Sequence, residues 1–181
     1  MKLTGNCWTY GDDVNTDVIF PGKYTYTMTN LADFKKVALE DLDPEFAKQV
    51  QAGDMIVAGK NFGCGSSREQ AAVCIKMCGV KVIVAKSFAR IFFRNCVNNG
   101  VLPIVCPAAV AAIQKGDEIT VDLERNEITL RTQNSELSTF SFPPLSPSVT
   151  AIIDAGGLIP MLRKKLGTEH LPMPEIKFAG E

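Results

Sequence analysis

One stretch, Asp54–Gln70, restricts the fold of this 181-residue chain more than any other. It begins with an apolar run, Met55–Ala58, which is typical of a buried strand, and passes into a loop with glycines at 59, 63 and 65. Two overlapping capping boxes follow, starting at Ser66 and Ser67, and they predict that a helix begins there. The chain must therefore turn sharply from a strand into a helix at this point.

The residues of this turn suit an oxyanion. Glycines let the backbone approach a ligand and leave amide groups pointing at it, and the first helical turn adds unpaired N–H groups. Arg68 adds a permanently charged fork suited to a carboxylate, and Ser66 and Ser67 place hydroxyls beside it. The patterns of a phosphate loop and of a nucleophile elbow are both absent. The residues predict an anion site with a potential base; a capping serine followed by a surface arginine is the plainer alternative.

Helices and strands alternate across residues 54–105, which indicates a small parallel sheet. After the site we predict a helix from Arg68 to Met77, the strand Val80–Ala85, a helix that Ser87 caps, and the strand Val101–Val105. Other predicted elements are a helical region over 31–51, a hairpin over 119–131, a strand over 137–142 and helices over 147–155 and 159–166.

Three segments carry a resemblance that covers nearly the whole chain. Gly59–Glu69 resembles the signature of the small subunits of the aconitase family, those of 3-isopropylmalate dehydratase in particular. Gly11–Gly22 and Ser87–Pro103 match further family segments in the same order. The resemblance implies an α/β fold, the swivelling β/β/α domain of that family, with a mixed sheet or barrel-like core flanked by helices. We expect a single domain over 1–167 and a loose tail over 168–181.

The resemblance also implies a reaction. The chain would be the mobile domain of an iron–sulfur hydro-lyase and would bind no cofactor or metal itself, because a larger partner subunit holds the [4Fe–4S] cluster. Ser66, as an alkoxide, would remove the proton beside a carboxylate, while Gly65, Ser67 and Arg68 bind the substrate. A serine hydroxyl is a very weak acid, so the helix N-terminus and Arg68 must favour its anion. The net result is isomerisation of a 2-hydroxy dicarboxylic acid, as in leucine biosynthesis.

Four further residues are expected to support this site. Asn15, Thr16 and Asp17 lie in a turn-rich segment, and side chains of these types hold local backbone by hydrogen bonds. A well-stapled surface turn is the alternative, but the resemblance places this turn beside the substrate pocket. Cys64 lies inside the anion loop, and we expect it to pack there or support its neighbours rather than act as a nucleophile.

The Tyr24–Asn30 segment is uncharged and lacks helical periodicity, so an edge strand or a mobile flap fits it. In the resembling families the loop here selects the variable end of the substrate, which makes Tyr24, Thr25, Tyr26 and Thr27 candidate substrate-binding residues. Relatives that handle a third carboxylate place an arginine about where Tyr26 stands. A small apolar substituent therefore fits better than citrate or homocitrate. Isopropylmalate is preferred; 2,3-dimethylmalate and homoaconitate are the alternatives.

Composition and charge restrict the class of protein. The net charge of −1 gives no support to a nucleic-acid partner, and no apolar run is long enough to span a membrane. The first residues lack the apolar core of a signal peptide, so we expect a cytoplasmic protein. The six cysteines form no Cys-x-x-Cys pair and lie far from the single histidine, His170, which argues against a metal site held by this chain alone.

A non-catalytic anion-binding domain is the second functional hypothesis, because the chain lacks a complete catalytic set. Ser66 is the discriminating residue, since a mere anion binder has no need of it. Arg90 and Arg94 lie four residues apart and share a helical face, where a solvated basic stripe is the favoured interpretation over two ligand contacts.

Overall fold

The structure, a computed structural model, describes residues 1–132 and 134–172. Its centre is a seven-stranded mixed sheet in the order β4-β3-β2-β1-β5-β6-β7. The strands are β1 Lys2–Tyr10, β2 Met55–Ala58, β3 Val82–Ala85, β4 Leu102–Val105, β5 Glu118–Asp122, β6 Glu127–Arg131 and β7 Leu137–Ser141. The helices are α1 Thr16–Ile19, α2 Phe46–Gln49, α3 Glu69–Met77, α4 Arg90–Asn98, α5 Pro107–Ala112, α6 Pro147–Asp154 and α7 Leu158–Leu166. Short 3₁₀ helices cover Gly22–Tyr24 and Leu31–Val37.

Strand β1 joins the two halves of the sheet. Its second half pairs in parallel with β2, from Cys7 opposite Met55 to Tyr10 opposite Ala58. Its first half pairs antiparallel with β5, from Lys2 opposite Asp122 to Asn6 opposite Glu118. One strand therefore belongs both to the parallel half, β1 to β4, and to the antiparallel half, β5 to β7.

The short parallel strands are buried on both faces, as their continuous apolar runs require. Alternate residues of β2 enter two separate cores, Ile56 and Ala58 on one face, Met55 and Val57 on the other. The first core also contains residues of α3 and α4, and the second contains residues of α5, α6 and the antiparallel strands. The face that carries α3 and α4 is the one that positions the anion loop.

The predicted fold class is confirmed, while several helix boundaries were wrong. Helix α4 begins at Arg90 behind Ala89, and Ser87 does not cap it, because its Oγ accepts the N–H of Asn61 at 2.8 Å. The Tyr24–Asn30 segment forms turns and no strand. Most of the predicted tail lies outside the described residues; over 168–172 the Arg163 guanidinium donates to the carbonyls of Glu169, Leu171 and Pro172. Within the described ranges, none of the helices has the length and hydropathy needed to cross a membrane.

Candidate active site

The loop between β2 and α3 needs glycine at two positions. Gly63 has a φ of 76°, and a Cβ there would lie 2.0 Å from Cγ of Phe92 on α4. Gly65 has a φ of 89°, in the left-handed region that side chains rarely adopt. The loop is thus pressed against α4 on one side and opens to solvent at Gly65, Ser66 and Ser67, all of which are exposed.

Helix α3 begins at Glu69, later than the capping boxes predicted. Its N-cap is Arg68, whose φ of −107° and ψ of 111° are extended, and no side chain caps the helix. The predicted start at Ser66 or Ser67 was wrong because the Ser66 carbonyl is held elsewhere, by the Thr16 hydroxyl at 2.8 Å and by the Arg68 N–H at 2.8 Å. These bonds stretch the chain where a helical turn was expected.

The late start leaves polar groups available at this surface. The first N–H groups of a helix have no partner within the helix, and here no side chain satisfies them. Among the described residues, the main-chain N–H groups of Gly65, Ser66 and Ser67 also have no hydrogen-bond acceptor. Amide donors and two hydroxyls therefore face solvent next to the positive end of the α3 dipole.

The N-terminus of α1 holds the loop in place through its N-cap Asn15 and its first residue Thr16. Asn15 caps α1, because its side-chain oxygen accepts the N–H of Val18 at 2.9 Å. Its backbone forms an isolated parallel β-bridge with Cys64. Thr16, only 1% exposed, donates its N–H to the Cys64 carbonyl at 2.8 Å and its hydroxyl to Ser66. The buried Thr16 thereby fixes the backbone of Cys64 and of the exposed Ser66.

Arg68 is oriented by Asp17 and Thr25. Its Nη1 lies 2.9 Å from Asp17 Oδ1 and donates to Thr25 Oγ1 at 3.1 Å. The guanidinium passes over Gly22, where a Cβ would lie 3.0 Å from Nη1. In the part of the chain that the structure describes, Nε and Nη2 have no acceptor, so the arginine is held at one nitrogen and can still bind an anion with the others.

The other residues of the selecting loop lie further from Arg68. Tyr24 donates its hydroxyl to Glu40 at 3.4 Å, and the Thr27 hydroxyl donates to the Lys23 carbonyl at 3.2 Å. Tyr26 is 86% exposed. The structure thus brings Thr25 to the guanidinium, keeps Tyr24 and Thr27 in local contacts, and leaves the Tyr26 ring in solvent.

Cys64 donates its thiol to the Asp13 carbonyl at 3.4 Å. The five other cysteines are buried free thiols. Burial raises the pKa of the Cys7 and Cys78 thiols from 9.0 to about 12, which keeps them protonated and unreactive at neutral pH. Across residues 1–132 and 134–172, no group of three or more His, Cys, Asp or Glu side chains could hold a metal ion.

Two contacts of Arg68, with Gly22 and with Asp17, could not be predicted from the sequence. Gly22 belongs to a turn whose composition suggested nothing more than a turn, yet its missing side chain makes room for Arg68. Asp17 was predicted to support the pocket, but the ion pair through which it reaches Arg68 joins residues far apart in the chain. Only the packing of the α1 turn against the anion loop brings these groups together.

Comparison with known proteins assigns the family. The aconitase C-terminal domain matches residues 14–109. The 3-isopropylmalate dehydratase small subunits of Caldicellulosiruptor saccharolyticus and Aquifex aeolicus are each 48% identical to the chain, over 92% and 93% of its length and 94% and 99% of theirs. This chain belongs to that small-subunit family. The matches to these two relatives span almost the full length of both proteins.

Solved structures agree with the family assignment. A crystal structure of 3-isopropylmalate dehydratase from Methanocaldococcus jannaschii has a TM-score of 0.85 and 40% identity, covering 94% of this chain and 98% of its own. Aconitase X from Thermococcus kodakaraensis, at 13% identity and a TM-score of 0.51, shares the fold over 72% of this chain.

Proposed function

We propose that the chain is the small subunit of a 3-isopropylmalate dehydratase, a hydro-lyase that isomerises a 2-hydroxy dicarboxylic acid in leucine biosynthesis. The observation that carries the proposal is the exposed Ser66 between uncapped amides and an arginine held at one nitrogen by Asp17 and Thr25. The relatives match nearly the whole of this chain, and their names support the same reaction.

Ser66 is assigned the role of base. Ser66 is exposed, and its hydroxyl does not cap α3, so it can reach a substrate placed over the loop. As the alkoxide, Ser66 Oγ removes the proton from the carbon beside a carboxylate. The amide donors of the turn, the α3 dipole and the Arg68 charge all stabilise an oxyanion there, and exclusion of water strengthens each of these effects.

Gly65, Ser67 and Arg68 are assigned to the substrate carboxylate. The free Nε and Nη2 groups of Arg68 suit two carboxylate oxygens, and the amides of the turn suit the negative charge that grows as the proton leaves. Asn15, Thr16, Asp17 and Cys64 position this set by their contacts to the loop and to Arg68. Their role is to fix the geometry of the loop and of the Arg68 guanidinium.

The Tyr24–Thr27 segment is assigned to the variable end of the substrate. Thr25 links the segment to Arg68, and the exposed Tyr26 ring offers an apolar face without a charge for a third carboxylate. An alkyl substituent such as the isopropyl group fits this chemistry, and a 2,3-dimethylmalate or homoaconitate dehydratase is the alternative within the same class. A panel of these substrates separates the three assignments by kcat/KM.

A larger subunit is required to complete the site. The relatives are named small subunits, which supports a larger partner, and we assign the [4Fe–4S] group of the proposed enzyme to that partner. Such a cluster supplies a Lewis acid that eases departure of the substrate hydroxyl group. The partner also covers the exposed serines and removes water from them. The six free thiols suit the reducing cytoplasm, where we place the two-subunit enzyme.

The decisive experiment is Ser66→Ala in the reconstituted two-subunit enzyme, with formation of the unsaturated diacid followed by ultraviolet absorbance. Removing the base lowers kcat by about 10³-fold, within the range for a general base, with unchanged folding and unchanged binding of the partner. Ser148→Ala, at an exposed position on α6, is the matched control and keeps full activity. Full activity of Ser66→Ala would leave the chain as an anion-binding domain without the assigned base.

A further inference from the structure

Helix α4 lies along the whole length of the anion loop. At its start, Ala89 donates its N–H to the Phe62 carbonyl at 3.0 Å, and Phe92 in its first turns packs on Gly63. At its end, Asn99 Nδ2 donates to Glu69 Oε1 at 3.1 Å, at the first residue of α3. These contacts fix α4 beside the loop that carries the exposed serines.

This outer face has an unusual distribution of charge. Arg90, the first residue of α4, and Arg94, in its middle, are both exposed; Lys86 precedes the helix, and the first turn contains no acidic residue. Cations at the N-terminal end of a helix are repelled by its dipole. In the described part of the chain, none of the three has an ion-pair partner. Arg90 therefore stands at the helix end where the dipole disfavours a cation, with the like charges of Lys86 and Arg94 nearby in the sequence.

Apolar surface surrounds these cations. Ile91 is 50% exposed and Val105, at the end of β4, is 39% exposed. Val105 and both arginines line a cavity of about 580 Å³, whose other lining residues are Ser87, Phe88 and Phe93. Aromatic residues and arginine are enriched where proteins bind one another, and both occur here in a concave surface.

We propose that the Arg90/Arg94 face of α4 docks the larger subunit, through an acidic surface on that subunit that surrounds an apolar contact. The inference rests on the proposed function, because it takes the larger subunit as the occupant. The favoured occupant carries negative charge, since only that charge relieves the repulsion at the start of α4. Docking on α4 places the partner over the adjacent loop and Ser66.

The test measures binding of the full chain to the larger subunit at increasing salt. The double charge reversal R90E/R94E raises the Kd about tenfold or more at low salt, chiefly through slower association. It also removes most of the dependence of the Kd on salt. K164E/K165E makes the same change of net charge on exposed residues of α7, and it leaves the Kd unchanged. At saturating partner, R90E/R94E recovers the kcat of the unaltered enzyme.

A second variant separates docking from a structural role. R90Q/R94Q removes the cations without adding repulsion, and it leaves the Tm of the free chain equal or higher while it weakens the partner's binding. A lowered Tm with unchanged binding would show that the arginines serve the fold, and an unchanged Kd for R90E/R94E would overturn the docking assignment. Failure of the unaltered chain to bind the partner would instead refute the proposed function, whereas Ser66→Ala keeps the Kd and loses turnover.

Discussion

Replacement of Asp17 by asparagine tests whether this residue acts through Arg68. The change removes one negative charge and keeps the size and an oxygen acceptor of the side chain. Asp17 Oδ1 lies 2.9 Å from Arg68 Nη1, and the two side chains are 48% and 25% exposed. At such exposure solvent screens the pair strongly, and an exposed ion pair contributes about 0.2–1 kcal/mol to stability.

The two measurable effects differ in size. For a chain of this length a loss of about 1 kcal/mol lowers the Tm by roughly 2–4 °C, so Asp17→Asn shifts the Tm by no more than that. In catalysis Arg68 must keep its orientation while charge develops on the substrate. Loss of one charge-assisted hydrogen bond, about 1.5 kcal/mol, lowers kcat about tenfold. The expected signature is a large fall in kcat with a small fall in Tm.

The assay is a double-mutant cycle on the two-subunit enzyme. Asp17→Asn, Arg68→Ala and the double variant are compared by kcat, KM and thermal unfolding. Because Asp17 acts through Arg68, the double variant has the kcat of Arg68→Ala, and the two effects are not additive. Additive losses would show an independent role for Asp17. A lower KM with unchanged kcat would show that Asp17 competes with the substrate for the guanidinium, which refutes the positioning role.

Two further results are expected from the fold around the site. Gly63→Ala places a methyl group 2.0 Å from the Phe92 ring at a residue with positive φ, so it lowers the free energy of unfolding by about 3 kcal/mol. The control is Gly11→Ala, whose methyl group meets nothing within 4 Å, and it leaves denaturant unfolding unchanged. A Gly63→Ala protein of normal stability would show that the loop does not press on α4. Alkaline pH destabilises the chain, because the Cys7 and Cys78 thiols stay protonated up to about pH 12 when folded but ionise near 9.0 when unfolded. The stabilisation that the two protonated thiols contribute is complete below pH 9 and is lost between pH 9 and pH 12, so the Tm falls over this range. In Cys7→Ala the Tm falls less steeply with pH. An equally steep fall in that variant would show that the Cys7 thiol does not cause it.

The sequence predicted the parallel strands and the hairpin well, because their apolar runs and alternation reflect burial directly. Strand β1 was missed. Thr4, Gly5 and Asn6 interrupt its apolar pattern, and its stability comes from pairing with strands at 55–58 and 118–122 rather than from its own composition. Periodicity within a segment cannot report such distant partners.

The residues of the candidate site were proposed from the sequence, but the geometry in which the structure places them was not. Ser66, Arg68 and Asp17 were all named from the chain. The uncapped start of α3 was not, because one of the two bonds that hold the Ser66 carbonyl comes from Thr16, fifty residues earlier. Tertiary contacts overrode a local capping pattern there, and the same override turned Ser87 from a predicted cap into an acceptor for Asn61.

The pairing of β1 on both its edges has a consequence during synthesis. The strand leaves the ribosome long before residues 118–122, which supply its antiparallel neighbour. Until then one edge of β1 is open, with unpaired N–H and C=O groups that invite contact with other nascent chains. Contacts so distant along the polypeptide also form slowly. The nascent chain therefore needs protection at its first strand until β5 emerges, and a translational pause before residue 118 prolongs the interval in which it aggregates.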